Sequence, residues 1–164
     1  MNQALADLKE NTRNAEIAFF GGSFTAIDRN YMLSLLEATK EYISIFKGIR
    51  ISTRPDCIDK DILNVLKYYG VTSIELGAQS MDDAVLISNK RGHTSQDVIN
   101  ASLLIKEFDF SLGLQMMTGL YKSSYEKDIY TNAGLNCGLL SWRSGENIIC
   151  CIGLKRGWKL LFGG

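Results

Sequence analysis

The chain has 164 residues, enough for one domain or a large piece of one. Eighteen basic and eighteen acidic side chains cancel to a formal charge of +0, which argues against a strongly basic nucleic-acid binder and against an acidic tail protein. At 46% hydrophobic and 22% charged, the composition is that of a folded globular protein, with no apolar run of the ~18 residues a membrane span needs. The acid-bearing first ten residues lack the apolar core of a signal peptide. A cytoplasmic protein with no membrane partner is expected.

Residues 1–12 read as a polar helix with Leu5 and Leu8 on one face. Ile17-Ala18-Phe19-Phe20 is a short apolar run stopped by Gly21-Gly22, the pattern of a buried strand. Asp28 opens a helix that places Met32, Leu35, Leu36 and Ile43 on one side and ends at Gly48. The second strand is Ile49-Arg50-Ile51-Ser52-Thr53. Asp59 caps the next helix, in which Ile62, Leu63, Leu66 and Tyr69 recur at helical spacing before Gly70. Ser73-Ile74-Glu75-Leu76 is the third strand, followed by a short helix from Asp82 to Ser88. Thr94-Ser95-Gln96-Asp97 reads as a capping box, with an acid in place of Glu, for a helix reaching about Glu107. Phe110 to Met117 is the fourth strand, and Ser124 to Tyr130 is helical.

Strand and helix alternate, so the expected fold is α/β, built of right-handed βαβ units on a parallel sheet. Four strands at about 16–21, 49–53, 73–77 and 110–117 make a partial (β/α) barrel with helices on its outer face. Four strands cannot close a barrel, so two sheet edges need cover from the first helix, the tail or a partner chain. From about Asn132 the pattern breaks. Residues 1–131 are therefore expected to form the core and 132–164 an atypical tail, in which no further strand and helix are recognisable.

Four cysteines, Cys57, Cys137, Cys150 and Cys151, contain no Cys-x-x-Cys pair. With His93 as the single histidine, no zinc set of ordinary spacing can be written, and no tight thiolate group marks an iron–sulfur site. Free thiols are expected, and no metal ligand is assigned.

In parallel α/β sheets ligands sit beyond the C-terminal strand ends. Three polar or glycine-rich clusters fall there: Gly21-Gly22-Ser23-Phe24-Thr25, Ser52-Thr53-Arg54-Pro55-Asp56 and Gly77-Ala78-Gln79-Ser80. The first lets a backbone approach a ligand closely, yet it also reads as a plain turn. The second offers hydroxyls, a guanidinium and a carboxylate, or simply a local Arg54–Asp56 pair. Glu75 in an apolar strand must be paired or used. Gln79 carries the donors and acceptors that suit ribose hydroxyls, and equally suits local backbone. Lys90 and Arg91 ahead of a helix suit a carboxylate or phosphate, or form a solvated loop. His93 reads as structural, and Leu114-Gln115-Met116-Met117 as core strand.

The order of the motifs carries more than any one of them. Residues 15–25 (Ala-Glu-Ile-Ala-Phe-Phe-Gly-Gly-Ser-Phe-Thr), 52–56, 74–80 (Ile-Glu-Leu-Gly-Ala-Gln-Ser), 89–94 (Asn-Lys-Arg-Gly-His-Thr) and 114–120 (Leu-Gln-Met-Met-Thr-Gly-Leu) follow one another on successive βα units. Together they resemble the radical S-adenosylmethionine enzymes over about residues 1–131. The branch is the one related to the elongator catalytic subunit and the oxygen-independent coproporphyrinogen oxidases.

The resemblance implies S-adenosylmethionine as cofactor and, in the complete relative, a [4Fe–4S] cluster supporting 5′-deoxyadenosyl radical chemistry. It implies that Gly21, Gly22 and Ser23 hold the cofactor's amino group, and that Thr53 and Arg54 border its polar groups. Gln79 would reach the ribose and Arg91 the carboxylate, while Met116 to Gly119 would lie near the adenine. Glu75 falls in the substrate-side layer as the candidate catalytic group. Relatives act on tRNA and on porphyrin precursors. The family's Cys-x-x-x-Cys-x-x-Cys loop is not in this sequence; it belongs upstream, so a fragment with a truncated or frameshifted end, inactive alone, is expected. The alternatives are a non-catalytic nucleotide or S-adenosylmethionine binding module, and an inactive half-barrel fragment.

Overall fold

A computed structural model of the protein describes residues 9–137 and 149–154, with side chains over 12–135. Five strands form one sheet in chain order: β1 (Glu16–Phe19), β2 (Gly48–Thr53), β3 (Val71–Gln79), β4 (Ser111–Thr118) and β5 (Ile149–Leu154). Every neighbouring pair is parallel. The helices between them are α1 (Arg29–Glu37), α2 (Lys60–Tyr68), α3 (Asp83–Ser88), α4 (Ser95–Glu107) and α5 (Tyr125–Cys137).

The four strands expected from sequence are all present. Most of the expected helix over 1–12 lies outside the described residues; the part seen is a 3₁₀ turn, Lys9–Asn14. The helix expected to reach Ile43 stops at Glu37, and a separate 3₁₀ turn spans Lys40–Tyr42. Thr39 ends the run by turning its hydroxyl back onto the Leu36 carbonyl (2.6 Å), an internal competitor for a helix hydrogen bond.

Beyond residue 131 the structure departs from the sequence reading. α5 continues to Cys137, and residues 149–154 pair with β4 from Gly113↔Ile149 to Thr118↔Leu154. A strand in a parallel sheet reads as an unbroken apolar run, so Ile149-Cys150-Cys151-Ile152 shows no period to recognise. At Gly134 a Cβ would lie 3.6 Å from the Met81 Cγ, an ordinary van der Waals contact, so α5 packs on Met81 there without requiring glycine. Thr131 fixes the same junction, its Oγ1 accepting from the Met81 N–H at 3.0 Å.

Strand alternation separates the two faces of the sheet. Ile49, Ile51, Ile74, Leu76, Leu112, Leu114 and Met116 are buried and form one core with Met32 and Leu36 of α1, Leu63 and Leu66 of α2, and Val98, Ala101 and Ile105 of α4. The alternate residues Glu16, Arg50, Ser52, Ser73, Glu75 and Gln115 are polar. A parallel sheet normally buries apolar side chains on both faces; this one carries a polar inner face, which is where its chemistry lies. No helix among the described residues is long and apolar enough to cross a membrane.

Helix caps set the crossover ends. Asp28, Asp59 and Asp82 each accept from the main chain three residues on. At α4 the Thr94 hydroxyl accepts from the Asp97 N–H, and Asp97 accepts from the Thr94 N–H at 2.7 Å. These bonds hold the Asp97 carboxyl below its ordinary pKa, the Thr94 backbone bond contributing most. Thr94→Ala should cost about 1 kcal/mol in urea denaturation, because the Asp97 N–H loses its side-chain acceptor while the bond from the Thr94 N–H to Asp97 stays. A loss below a few tenths would show that water replaces the cap.

Candidate functional site

At the C-terminal ends of β1 to β4 lies a cleft of about 730 Å³, walled by Phe20, Gly21, Gly22, Ser23, Ser52, Thr53, Arg54, Glu75, Gly77, Gln79, Arg91 and Gln115. Of the residues singled out from sequence, Gly21, Gly22, Ser23, Thr53, Arg54, Glu75, Gln79 and Arg91 come together here. Met116 and Gly119 do not join the wall. Met116 is 1% exposed in the core behind the sheet, and the Gly119 N–H donates to Asp128 Oδ2 (3.1 Å).

The glycine loop is open to the cleft. Gly21 has φ +102, a conformation that costs glycine nothing, and a Cβ at Gly21 or Gly22 would meet no atom within 4 Å. Ser23 ties the loop to the end of β2, accepting from the Arg54 N–H at 3.0 Å and lying 2.9 Å from Thr53 Oγ1. The Arg54 side chain is engaged locally by Asp56 through two parallel bonds, 2.9 and 2.5 Å. The cluster forms the local ion pair, and Arg54 also lines the cleft wall.

A charged network that includes Glu75 and Ser52 of the cleft wall runs along the same polar face of the sheet. Arg50 donates to Glu16 Oε2 from Nε (2.8 Å) and Nη2 (2.5 Å), and to Glu75 Oε1 from Nη1 (3.0 Å). Ser52 donates to Glu75 Oε2 (3.2 Å) and Ser73 to Glu16 Oε1 (3.1 Å). Burial pulls the Arg50 pKa down, but its two carboxylates outweigh it and hold the value above that of a free arginine. Glu75 is therefore paired, as a carboxylate inside a strand must be.

Two groups in the cleft lack what their chemistry requires. Gln79, 5% exposed, has a buried Oε1 with no hydrogen-bond partner; its Nε2 lies 3.4 Å from Gln115 Oε1. Arg91 has a buried Nε without a partner. Its pKa is lowered, first by burial and then by the nearby Arg54 charge, yet a guanidinium stays protonated. A half-buried cation with no anion and a buried amide oxygen with no donor face one cavity, and an anionic, hydroxyl-bearing ligand supplies both.

His93, 5% exposed, contacts the Ala78 carbonyl through Nε2 (3.0 Å) and so buttresses the Gln79 turn. Gln115 and the Glu16–Arg50 pair are the features sequence motifs do not reveal. The available signal was alternation: a polar residue between Leu114 and Met116 must face away from the core.

Residues 1–130 match the radical SAM superfamily. The chain belongs to that superfamily. This radical SAM chain is 28% identical over 144 residues to tRNA uridine(34) acetyltransferase of Dehalococcoides mccartyi, covering 76% of this chain and 31% of that protein. Its fold superposes on an Elp3 of Methanocaldococcus infernus with a TM-score of 0.67 and 28% identity, over 79% of this chain and 35% of that one. Coproporphyrinogen III oxidase of Escherichia coli aligns with a TM-score of 0.68 and 18% identity over 93% of this chain and 37% of that one, a likeness of fold alone. Similarity to Elp3 in sequence and fold, and to coproporphyrinogen oxidase in fold, agrees with the one branch that the ordered motifs resemble. The chain spans about a third of the length of each of these proteins.

The superfamily implies S-adenosylmethionine and a [4Fe–4S] cluster. The cleft has groups of the kind the first needs: a guanidinium unpaired among the described residues suits a carboxylate, an unpartnered amide oxygen suits a hydroxyl, and an open glycine loop leaves room for a small polar end. The described residues do not fit the second. Among them no three His, Cys, Asp or Glu side chains gather to hold a metal, and Cys57 is a free thiol.

Proposed function

We propose that this chain is the S-adenosylmethionine-holding part of a radical SAM core, and that the complete protein acts on RNA in the manner named for its tRNA-modifying relatives. The observation that carries the reading is the pair of buried, unsatisfied groups, Arg91 Nε and Gln79 Oε1, on one cleft wall. Arg91 would take the cofactor carboxylate, since a charge-assisted guanidinium–carboxylate pair is strong where water is excluded. Gln79 Oε1 would accept from the ribose hydroxyls. Gly21, Gly22 and Ser23 would receive the ammonium, and Thr53 and Arg54 would brace that loop. Contacts from Met116 and Gly119 to the adenine would come from main-chain carbonyls, because the Met116 side chain packs in the core and the Gly119 N–H is given to Asp128.

Glu75 would face substrate as the catalytic group. Arg50 and Ser52 hold its two oxygens in place, and each oxygen keeps lone-pair capacity for a substrate donor. S-adenosylmethionine, when bound beside a reductant, supplies a carbon radical for hydrogen abstraction; the protein's part is to bind, orient and exclude water. Because the described residues gather no set of thiolates to ligate a cluster, our reading is that this chain by itself binds without turning over, as a non-catalytic binding module does. RNA is preferred to a porphyrin as substrate class, since the porphyrin-linked neighbour shares only the fold. A cytoplasmic location and a partner chain covering an open sheet edge complete the reading.

Titration of the chain with S-adenosylmethionine tests it. Without a cluster to chelate the methionine end, affinity should be on the order of millimolar. Arg91→Ala should weaken it about tenfold, as loss of one ionic hydrogen bond does, while exposed Lys90→Ala leaves it unchanged. Micromolar binding that survives Arg91→Ala would overturn the assignment.

A further inference from the structure

We infer that Thr25 and Thr53 lock the Ser23 hydroxyl as a hydrogen-bond acceptor toward the cleft, so that this corner selects a ligand ammonium group. The inference rests on the S-adenosylmethionine reading and adds two positioning residues to it.

The donor directions follow from one fixed end. The Thr25 Oγ1 is 2.8 Å from the Cys57 carbonyl, which can only accept, so the Thr25 proton is committed there. Thr25 and Thr53 hydroxyls are 2.5 Å apart; with the Thr25 proton spent, Thr53 must donate to Thr25. Ser23 and Thr53 are 2.9 Å apart; with the Thr53 proton spent, Ser23 must donate to Thr53. The opposite end closes the chain, because the Arg54 N–H donates to Ser23 Oγ at 3.0 Å. A hydroxyl has one proton and two lone pairs. Ser23 has thus used its proton and one lone pair, and a single lone pair remains.

That lone pair belongs to a residue on the cleft wall, beside two glycines that leave the space open. A ligand donor completes it and a carboxylate is repelled by it. The anion-seeking Arg91 stands on the same cleft. One corner built for a cation and another for an anion match the two ends of an amino acid.

The probes are S-adenosylmethionine and its desamino analogue, in which hydrogen replaces the α-amino group, titrated against the full chain by ligand-observed NMR. Wild type should prefer the amine by about tenfold, the worth of one charged hydrogen bond. In Thr25→Val the Thr53 proton is freed to turn toward Ser23, and the Ser23 proton is released into the cleft as a donor. The preference should then fall to near unity, while Thr25→Ser keeps the chain of hydroxyls and the wild-type ratio. Thr53→Val removes the acceptor of the Ser23 proton and should give the same loss of preference, which serves if Thr25→Val does not fold. A ratio unchanged in a folded Thr25→Val or Thr53→Val chain overturns the inference and leaves the cofactor reading standing. Wild type that binds neither probe overturns both.

Discussion

Arg50→Met is expected to destabilise the protein by about 3–5 kcal/mol, because it leaves two carboxylates on the inner sheet face without their cation. Glu16 and Glu75 side chains are 16% and 12% exposed, and Arg50 22%, so solvent screens little of the loss. One guanidinium serves both acids; Ser73 and Ser52 satisfy one oxygen of each but carry no charge. The network costs desolvation to assemble, so its removal as a unit should be far milder than removal of the arginine alone. The triple change Glu16→Gln, Arg50→Met, Glu75→Gln should therefore recover most of the loss. Arg50→Lys should fall between, since one ammonium cannot present the three donors that the arginine directs at two acids. Urea denaturation of the four chains checks this. A loss under 1 kcal/mol for Arg50→Met at unchanged slope would mean that water already solvates the two acids.

Gln79→Gly is expected to act in the opposite direction, raising stability by about 1–3 kcal/mol while weakening cofactor binding. Gln79 has φ +65, and the Ser80 N–H donates across it to the Ala78 carbonyl at 2.8 Å. That is a three-residue turn in its rare, strained form. Glycine adopts the same backbone freely and also removes a buried oxygen that has no partner. Against this stands the larger unfolded-state entropy of glycine, about 0.5–1 kcal/mol. Gln79→Ala keeps the strain and removes only the orphaned amide, so its stability should lie between wild type and the glycine chain. If Gln79→Gly proves less stable than wild type, the side chain supports the turn and the strain account is wrong. A residue that lowers stability where a ligand would need it is the usual mark of a binding site held ready.

The other cleft residues show the same division between local and tertiary causes. Asp59 and Thr94 were readable as caps because a cap is a local hydrogen bond between near neighbours in sequence. The glycine loop, the Arg54 turn and Gln79 were readable because they sit at strand ends, where an alternating chain must place its ligand site. Arg91 could be named only through the order of the motifs, since Lys90-Arg91 alone equally describes a solvated loop. Burial and the absence of a partner for Nε separate the two readings, and neither is a property of sequence.

The sequence by itself determined the parallel α/β order, the first four strands and the end of the sheet that carries the cleft, because hydrophobic period and helix caps are written in neighbouring residues. Only the tertiary structure decided that Glu75 on β3 shares the β2 arginine Arg50 with Glu16 on β1, that Gln115 faces the cleft while Met116 faces the core, and that residues 149–154 extend the sheet. The reason is the distance along the chain. Arg50 is 34 residues from Glu16 and 25 from Glu75, and strand register, not local propensity, brings such partners onto one face. The same holds for the hydroxyls of Ser23, Thr25 and Thr53: their direction of donation follows from a carbonyl 32 residues beyond Thr25, which no reading of the glycine loop alone could supply.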